Sequence, residues 1–111
     1  VFETKEVNGI VIISPDFNIN EKTAIEFKEK ILTLIAKRHY NLVLDLGQVG
    51  YITSLGIGIL CDLKKRLDAK DGWIKIACVN EDLLDIFRFT MMTNVFKIFP
   101  LVEEALADTP D

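Results

Sequence analysis

The stretch Leu42-Val-Leu-Asp-Leu-Gly-Gln-Val-Gly-Tyr-Ile-Thr-Ser-Leu-Gly-Ile-Gly-Ile-Leu60 decides how the chain is read. Its first part, Asn41 to Leu46, is apolar nearly throughout, which suits a central strand covered on both faces. Its second part changes period. From about Leu55 to Lys70, the residues Ile59, Leu60, Leu63 and Leu67 recur at helical spacing, so the segment predicts a strand, a short turn and an amphipathic helix. Ser54 then stands where the exit of the strand meets the start of the helix. Backbone N–H groups at such a place lack intrahelical partners, and the helix dipole adds positive potential. A hydroxyl there can cap the helix, and a phosphate carried on it would be stabilised by the same groups. Both readings stand at this point.

On the N-terminal side, Phe2 to Glu6 and Ile10 to Ile13 are strand-like and are joined by Asn8-Gly9, a pair favoured in tight hairpins. Ser14-Pro15-Asp16 breaks the second run. Asn20 can cap a helix extending to about Lys37, with Ala24, Phe27, Ile31, Leu34 and Ile35 on one face. On the C-terminal side, Asp71-Gly72 ends the helix that follows Ser54, and Trp73 to Val79 supplies another strand. Asn80 caps a third helix, whose first turn carries Glu81 and Asp82 and whose buried side is Leu83, Leu84, Phe87 and Met91. Val95 to Phe99 is a short last strand, and a short helix runs around Val102 to Ala107. Strands alternating with helices of this length predict an α/β fold. We read one domain over residues 1–111, with a mostly parallel sheet of about five strands, an N-terminal hairpin and four helices.

Composition bounds the function. The 111 residues carry a formal net charge of −4 and are 50% hydrophobic, ordinary values for a globular domain. No basic stripe of the kind that binds nucleic acid is present. Lys64, Lys65 and Arg66 are adjacent, but Asp62, Asp68 and Asp71 flank them, as on a solvated helix face. Apolar runs stop at about five residues, against roughly 20 for a membrane span. No secretory signal is seen, and the missing initiator Met suggests a trimmed start. Cys61 and Cys78 belong to no metal or redox motif and read as buried thiols in a reducing cytoplasm.

Catalytic motifs fail one by one. Gly56-x-Gly58 lacks the third glycine of a dinucleotide fingerprint, since Cys61 takes its place. There is no phosphate-binding G-x-x-x-x-G-K loop, and Ser54 is not in G-x-S-x-G. The single histidine, His39, falls near the end of the first helix, where helix-end carbonyls are its expected company. We therefore expect no enzyme, no metal and no cofactor. More suggestive are the aliphatic residues near Ser54. With Gly56, Ile59, Leu60 and Leu63 inward, Leu55 and Ile57 are left partly exposed, a protein-binding patch that a phosphate dianion would disrupt. The other reading packs both under a neighbouring loop.

The order of elements, with Leu42 to Leu60 and Leu83 to Phe99 as its clearest parts, resembles the STAS domain of bacterial anti-sigma factor antagonists. The resemblance implies partner switching. The unmodified antagonist binds an anti-sigma factor that is also a serine kinase; phosphorylation ends the association, and a metal-dependent Ser/Thr phosphatase restores it. The antagonist acts in the cytoplasm as a substrate and binding module. Ser54 falls on the phosphoacceptor position, with Thr53 as a rival acceptor. Asp16, Asn18, Thr53, Ser54, Leu55, Gly56 and Ile57 fall on the partner-binding surface. Thr53 replaces the acidic residue before the acceptor, Leu55 the serine after it, and Asn18 a second aspartate, within Pro15-Asp16-Phe17-Asn18. The alternatives are a divergent STAS module sensing a nucleotide or other small anion, or an interaction module independent of phosphorylation.

Overall fold

The computed structural model describes residues 2–108. Strands β1 (Phe2–Val7) and β2 (Ile10–Pro15) form the opening hairpin. Asn8 and Gly9 turn the chain with φ of 52° and 83°, the left-handed pair such a turn needs and these residues adopt at least cost. There follow α1 (Ala24–Ala36), β3 (Asn41–Asp45), α2 (Ser54–Asp68), β4 (Trp73–Ala77), α3 (Glu81–Phe89), a 3-10 turn (Met92–Asn94), β5 (Ile98–Phe99) and α4 (Val102–Ala107). The strands lie in the order β1-β2-β3-β4-β5. Only β1 is antiparallel to its neighbour. The predicted α/β class, hairpin, five strands and four helices are all present.

Alternation along the strands divides the core. Val11, Ile13, Leu42, Leu44, Ile74 and Ile76 belong to one buried cluster with Phe27 and Ile31 of α1, Leu60 and Leu63 of α2, and Leu83 and Phe87 of α3. Ile12, Val43 and Ala77 point to the other face and pack with Ala105 of α4. Lys75, 4% exposed, shares this second face. Its Nζ donates to the carbonyls of Ala105 and Asp108, lies 3.3 Å from Asp108 Oδ2 and stands 4.1 Å from the centre of the Trp73 ring. An ammonium so buried is tolerable only when paired, and here it serves the open carbonyl end of α4.

The differences from expectation lie at element ends. Asn20 caps a turn ahead of α1, its Oδ1 accepting from the N–H of Lys22 at 2.9 Å and of Thr23 at 3.2 Å; the helix itself starts at Ala24. On α3, Leu84 is only half-buried. Met91 lies beyond the helix with φ of 63° and 61% exposure, so it leaves the buried side. The 3-10 turn and the burial of Phe96 shorten β5 to two residues. Both cysteines are half-buried rather than buried. Burial, with the Asp45 carboxylate adding to it, pushes the Cys78 thiol above its usual pKa, so it is a poor nucleophile.

Candidate functional site

Three loops meet at the carboxyl ends of the parallel strands and fix the start of α2. From the first, Asn18 Oδ1 accepts from the N–H of Gly50 at 2.7 Å and of Tyr51 at 3.2 Å. Ile19 N–H donates to the Tyr51 carbonyl at 3.2 Å and Thr53 N–H to the Ile19 carbonyl at 2.9 Å, forming a parallel bridge between Ile19 and Ile52. From the third, Asn80 Nδ2 donates to the Val49 carbonyl at 3.2 Å while its Oδ1 accepts from Leu83 N–H at 2.7 Å. The expected cap of α3 is thus also a clamp on the loop that carries Ser54. Sequence reasoning named Asn80 only as a cap, because its loop contact spans 31 residues.

Ser54 is exposed as the first residue of α2, one position past the cap. The capping role considered for its hydroxyl is therefore not the one it has. Thr53 holds the cap position on extended backbone, but its side chain caps nothing, and its Oγ1 is buried without a hydrogen-bond partner. The first helical bond runs from Ile57 N–H to the Thr53 carbonyl at 2.9 Å. The N–H groups of residues 54–56 precede it and make the positive end of the helix.

Around Ser54 the aliphatic residues part company. Leu55 is 44% exposed and Ile57 only 8%, which corrects the expectation that both are partly open. Two residues turn a helix by about 200°, so a neighbour two positions from an exposed leucine faces inward. Gly56 is buried because nothing larger fits: an added Cβ would lie 2.5 Å from Ile52 Cγ1 and 2.8 Å from Ile19 Cγ2. Asp16 is exposed just past β2, and Asn18 is half-buried. Tyr51, which the sequence did not single out, is exposed in the same loop as Thr53. Ser54 and Leu55 therefore form the open surface, while Gly56 and Ile57 build it from beneath.

His39 does not stand beside Ser54. His39 precedes β3 and Ser54 follows it, so a five-residue strand, about 16 Å long, separates the two ends. The His39 N–H closes the end of α1 by donating to the Leu34 carbonyl at 3.0 Å. Further along α2, Arg66 Nε is 2.9 Å and Lys28 Nζ 3.4 Å from Asp62 Oδ2. Chiefly the Arg66 hydrogen bond, with help from Lys28, holds this carboxyl below its usual pKa. Lys64 pairs with Asp68 at 2.9 Å and Lys65 is exposed, so the basic run lies on a solvated helix face as expected. No helix among the described residues is long and apolar enough to cross a membrane.

Comparison with known proteins fits this arrangement. The model of the STAS domain matches residues 1–105. The chain belongs to the STAS domain family. A relative from Thermotoga maritima, named "Putative anti-sigma factor antagonist", is 25% identical over 109 residues, covering 97% of this STAS chain and 96% of that protein. A crystal structure of a Thermotoga maritima protein of the same description superposes with a TM-score of 0.91 at 24% identity, over 95% of this chain and 91% of that one. The Bacillus protein SpoIIAA, in its phosphorylated form, superposes with a TM-score of 0.73 at 18% identity, over 96% of each chain. Within the STAS fold, Ser54 thus occupies the exposed start of the helix after the third strand.

Proposed function

We propose that this STAS domain is an anti-sigma factor antagonist that docks a kinase-type anti-sigma factor around Ser54 and is released by phosphorylation of that residue. The contrast between two neighbouring hydroxyls carries the reading. Ser54 is open to solvent, whereas Thr53 Oγ1 is buried. A kinase must bring the γ-phosphate in line with its acceptor, which favours Ser54 and makes Thr53 the second choice. The helix N–H groups would receive the phosphate, so the fold tolerates it. An interface over Leu55 would not, because the dianion would have to be desolvated beside an apolar contact.

The relatives described as anti-sigma factor antagonists support the class of partner, and the phosphorylated SpoIIAA structure supports the switch. In this reading the surface is Ser54, Leu55 and Tyr51, bordered by Asp16 and by the Asn18 loop. Thr53, Gly56 and Ile57 shape it without touching the partner. The chain is a substrate and binding module, not a catalyst, and a Ser/Thr phosphatase resets it. Residues 1–111 act as one such domain in the cytoplasm.

The test is incubation with the kinase-type anti-sigma factor and ATP, followed by mass spectrometric mapping. Phosphate is expected on Ser54, with loss of the complex. A stable complex that never acquires phosphate retires the switch, and phosphate on Thr53 reverses the acceptor assignment. Ser54→Asp should keep the fold and lose the partner. The open N–H groups at the start of α2 also suit a small-anion sensor. Calorimetry with GTP, ATP and inorganic phosphate separates that reading, which needs saturable heat at millimolar ligand or below.

A further inference from the structure

Glycine is a poor helix former, so one in a helix interior calls for a reason. Gly56 has a steric one. Gly58 has none among the described residues: it is exposed, its φ is not in the left-handed region, and an added Cβ would meet none of them within 4 Å. What a glycine alone provides at such a place is a gap in the side-chain surface, through which another chain can reach the helix backbone. The borders of the gap follow from helix geometry. Ser54 lies four residues before Gly58 and Leu55 three before, the two spacings that adjoin on a helix surface, about 5–6 Å apart. Four residues after it, Asp62 is already paired with Arg66 and Lys28.

We propose that Gly58 is the floor of a docking notch, walled by Leu55, in which an apolar segment of the kinase-type anti-sigma factor packs against the backbone of α2. This rests on the function proposed above and adds the contact through which it works. The occupant follows from position. Whatever fills the notch lies one helical turn from the Ser54 hydroxyl, so it is the chain that a phosphate on Ser54 would displace. The borders also set its chemistry. Leu55 offers an apolar wall, and the paired Asp62 presents no uncompensated charge, so a neutral aliphatic segment fits better than a basic one.

Kinase-type anti-sigma factors of the source organism, purified and immobilised in turn, are titrated with wild type, Gly58→Ala, Gly58→Gln and Glu6→Gln, the last an exposed change on β1. The Gly58 variants should match or exceed the thermal midpoint of wild type. Binding should weaken about tenfold for Gly58→Ala and at least about a hundredfold for Gly58→Gln, and stay unchanged for Glu6→Gln. Phosphorylation of Ser54 should slow through KM with kcat preserved, which a merely structural role would not produce. Binding of Gly58→Gln within about twofold of wild type overturns the notch and leaves the proposed function standing. If Gly58→Gln fails to fold, Gly58→Ala decides by the same criterion. Failure of wild type to bind any of the anti-sigma factors overturns the proposed function, and the notch with it.

Discussion

At Gly56 an added methyl group would sit 2.5 Å from Ile52 Cγ1, inside the packing that joins α2 to the Ile19–Ile52 bridge. Gly56→Ala should therefore cost about 1–3 kcal/mol through overpacking. Gly58→Ala should instead stabilise by about 0.5–1 kcal/mol, since it adds helix propensity where there is room. Urea titrations of the two variants should show midpoints moving in opposite directions; a shared direction would refute this account of the site. The sequence sets Gly56, and not Gly58, among the inward residues, but does not show what either glycine meets. Their difference comes from Ile19 and Ile52, which only the folded chain brings beside one of them. Asn18 shows the same limit. In the sequence it is a departure from a family aspartate, but in the structure it is a carbonyl acceptor for the Gly50 and Tyr51 N–H groups, a role either side chain can fill. A bond spanning 32 residues leaves no local pattern.

The most conditional element is α4. It has six residues, covers the second sheet face almost alone and is held by Lys75 and Asp108. Asp108 has a pKa below its ordinary value of 3.8, mainly through its hydrogen bond to Lys75 and secondarily through Lys97. A carboxyl freed from these partners takes up its proton first as pH falls. The stabilisation is accordingly complete above the ordinary carboxylate range and is lost as pH drops through the lower folded value. Acid should loosen α4 before it unfolds the sheet. Trp73, the single tryptophan of the chain, lies 4.1 Å from the Lys75 ammonium, so its fluorescence should report that step. Lys75→Met should abolish the acid-dependent change and speed amide exchange in α4 at neutral pH. An unaltered fluorescence titration in that variant would count against the clasp. The helix itself was legible from its period, but its fastening was not, because Lys75 reads as an ordinary charged strand residue.

For the molecule as a whole, the two faces of the sheet should contribute unequally to stability. Phe27 of α1 is fully buried in the larger cluster, to which α1, α2 and α3 all contribute, and Phe27→Ala should cost about 3–5 kcal/mol. Val102 is half-buried at the edge of the α4 cluster, and Val102→Ala should cost less than about 1.5 kcal/mol. Denaturant midpoints check the ranking, and equal losses would mean that the second face is as strongly built as the first. The sheet, the hairpin and the four helices were readable because hydrophobic period and turn chemistry are local. The end of α3 and the start of β5 were not. There Met91 turns left-handed and Phe96 enters the core, choices set by the surrounding packing.

The α/β order of elements, the strand, turn and helix around Ser54, and the resemblance to a STAS domain all follow from the amino-acid sequence. Each depends on residues within a few turns of one another. The sequence left open which hydroxyl is accessible and which of Leu55 and Ile57 faces outward. The second of these was within reach of helix geometry alone. The first was not: loops from three strand ends are tied together here, Thr53 Oγ1 is buried while Ser54 stays exposed, and burial of an atom depends on neighbours that the chain order does not name. Tertiary structure thus turned a serine at a helix start into the open hydroxyl of a pair, with a bare turn of helix beside it.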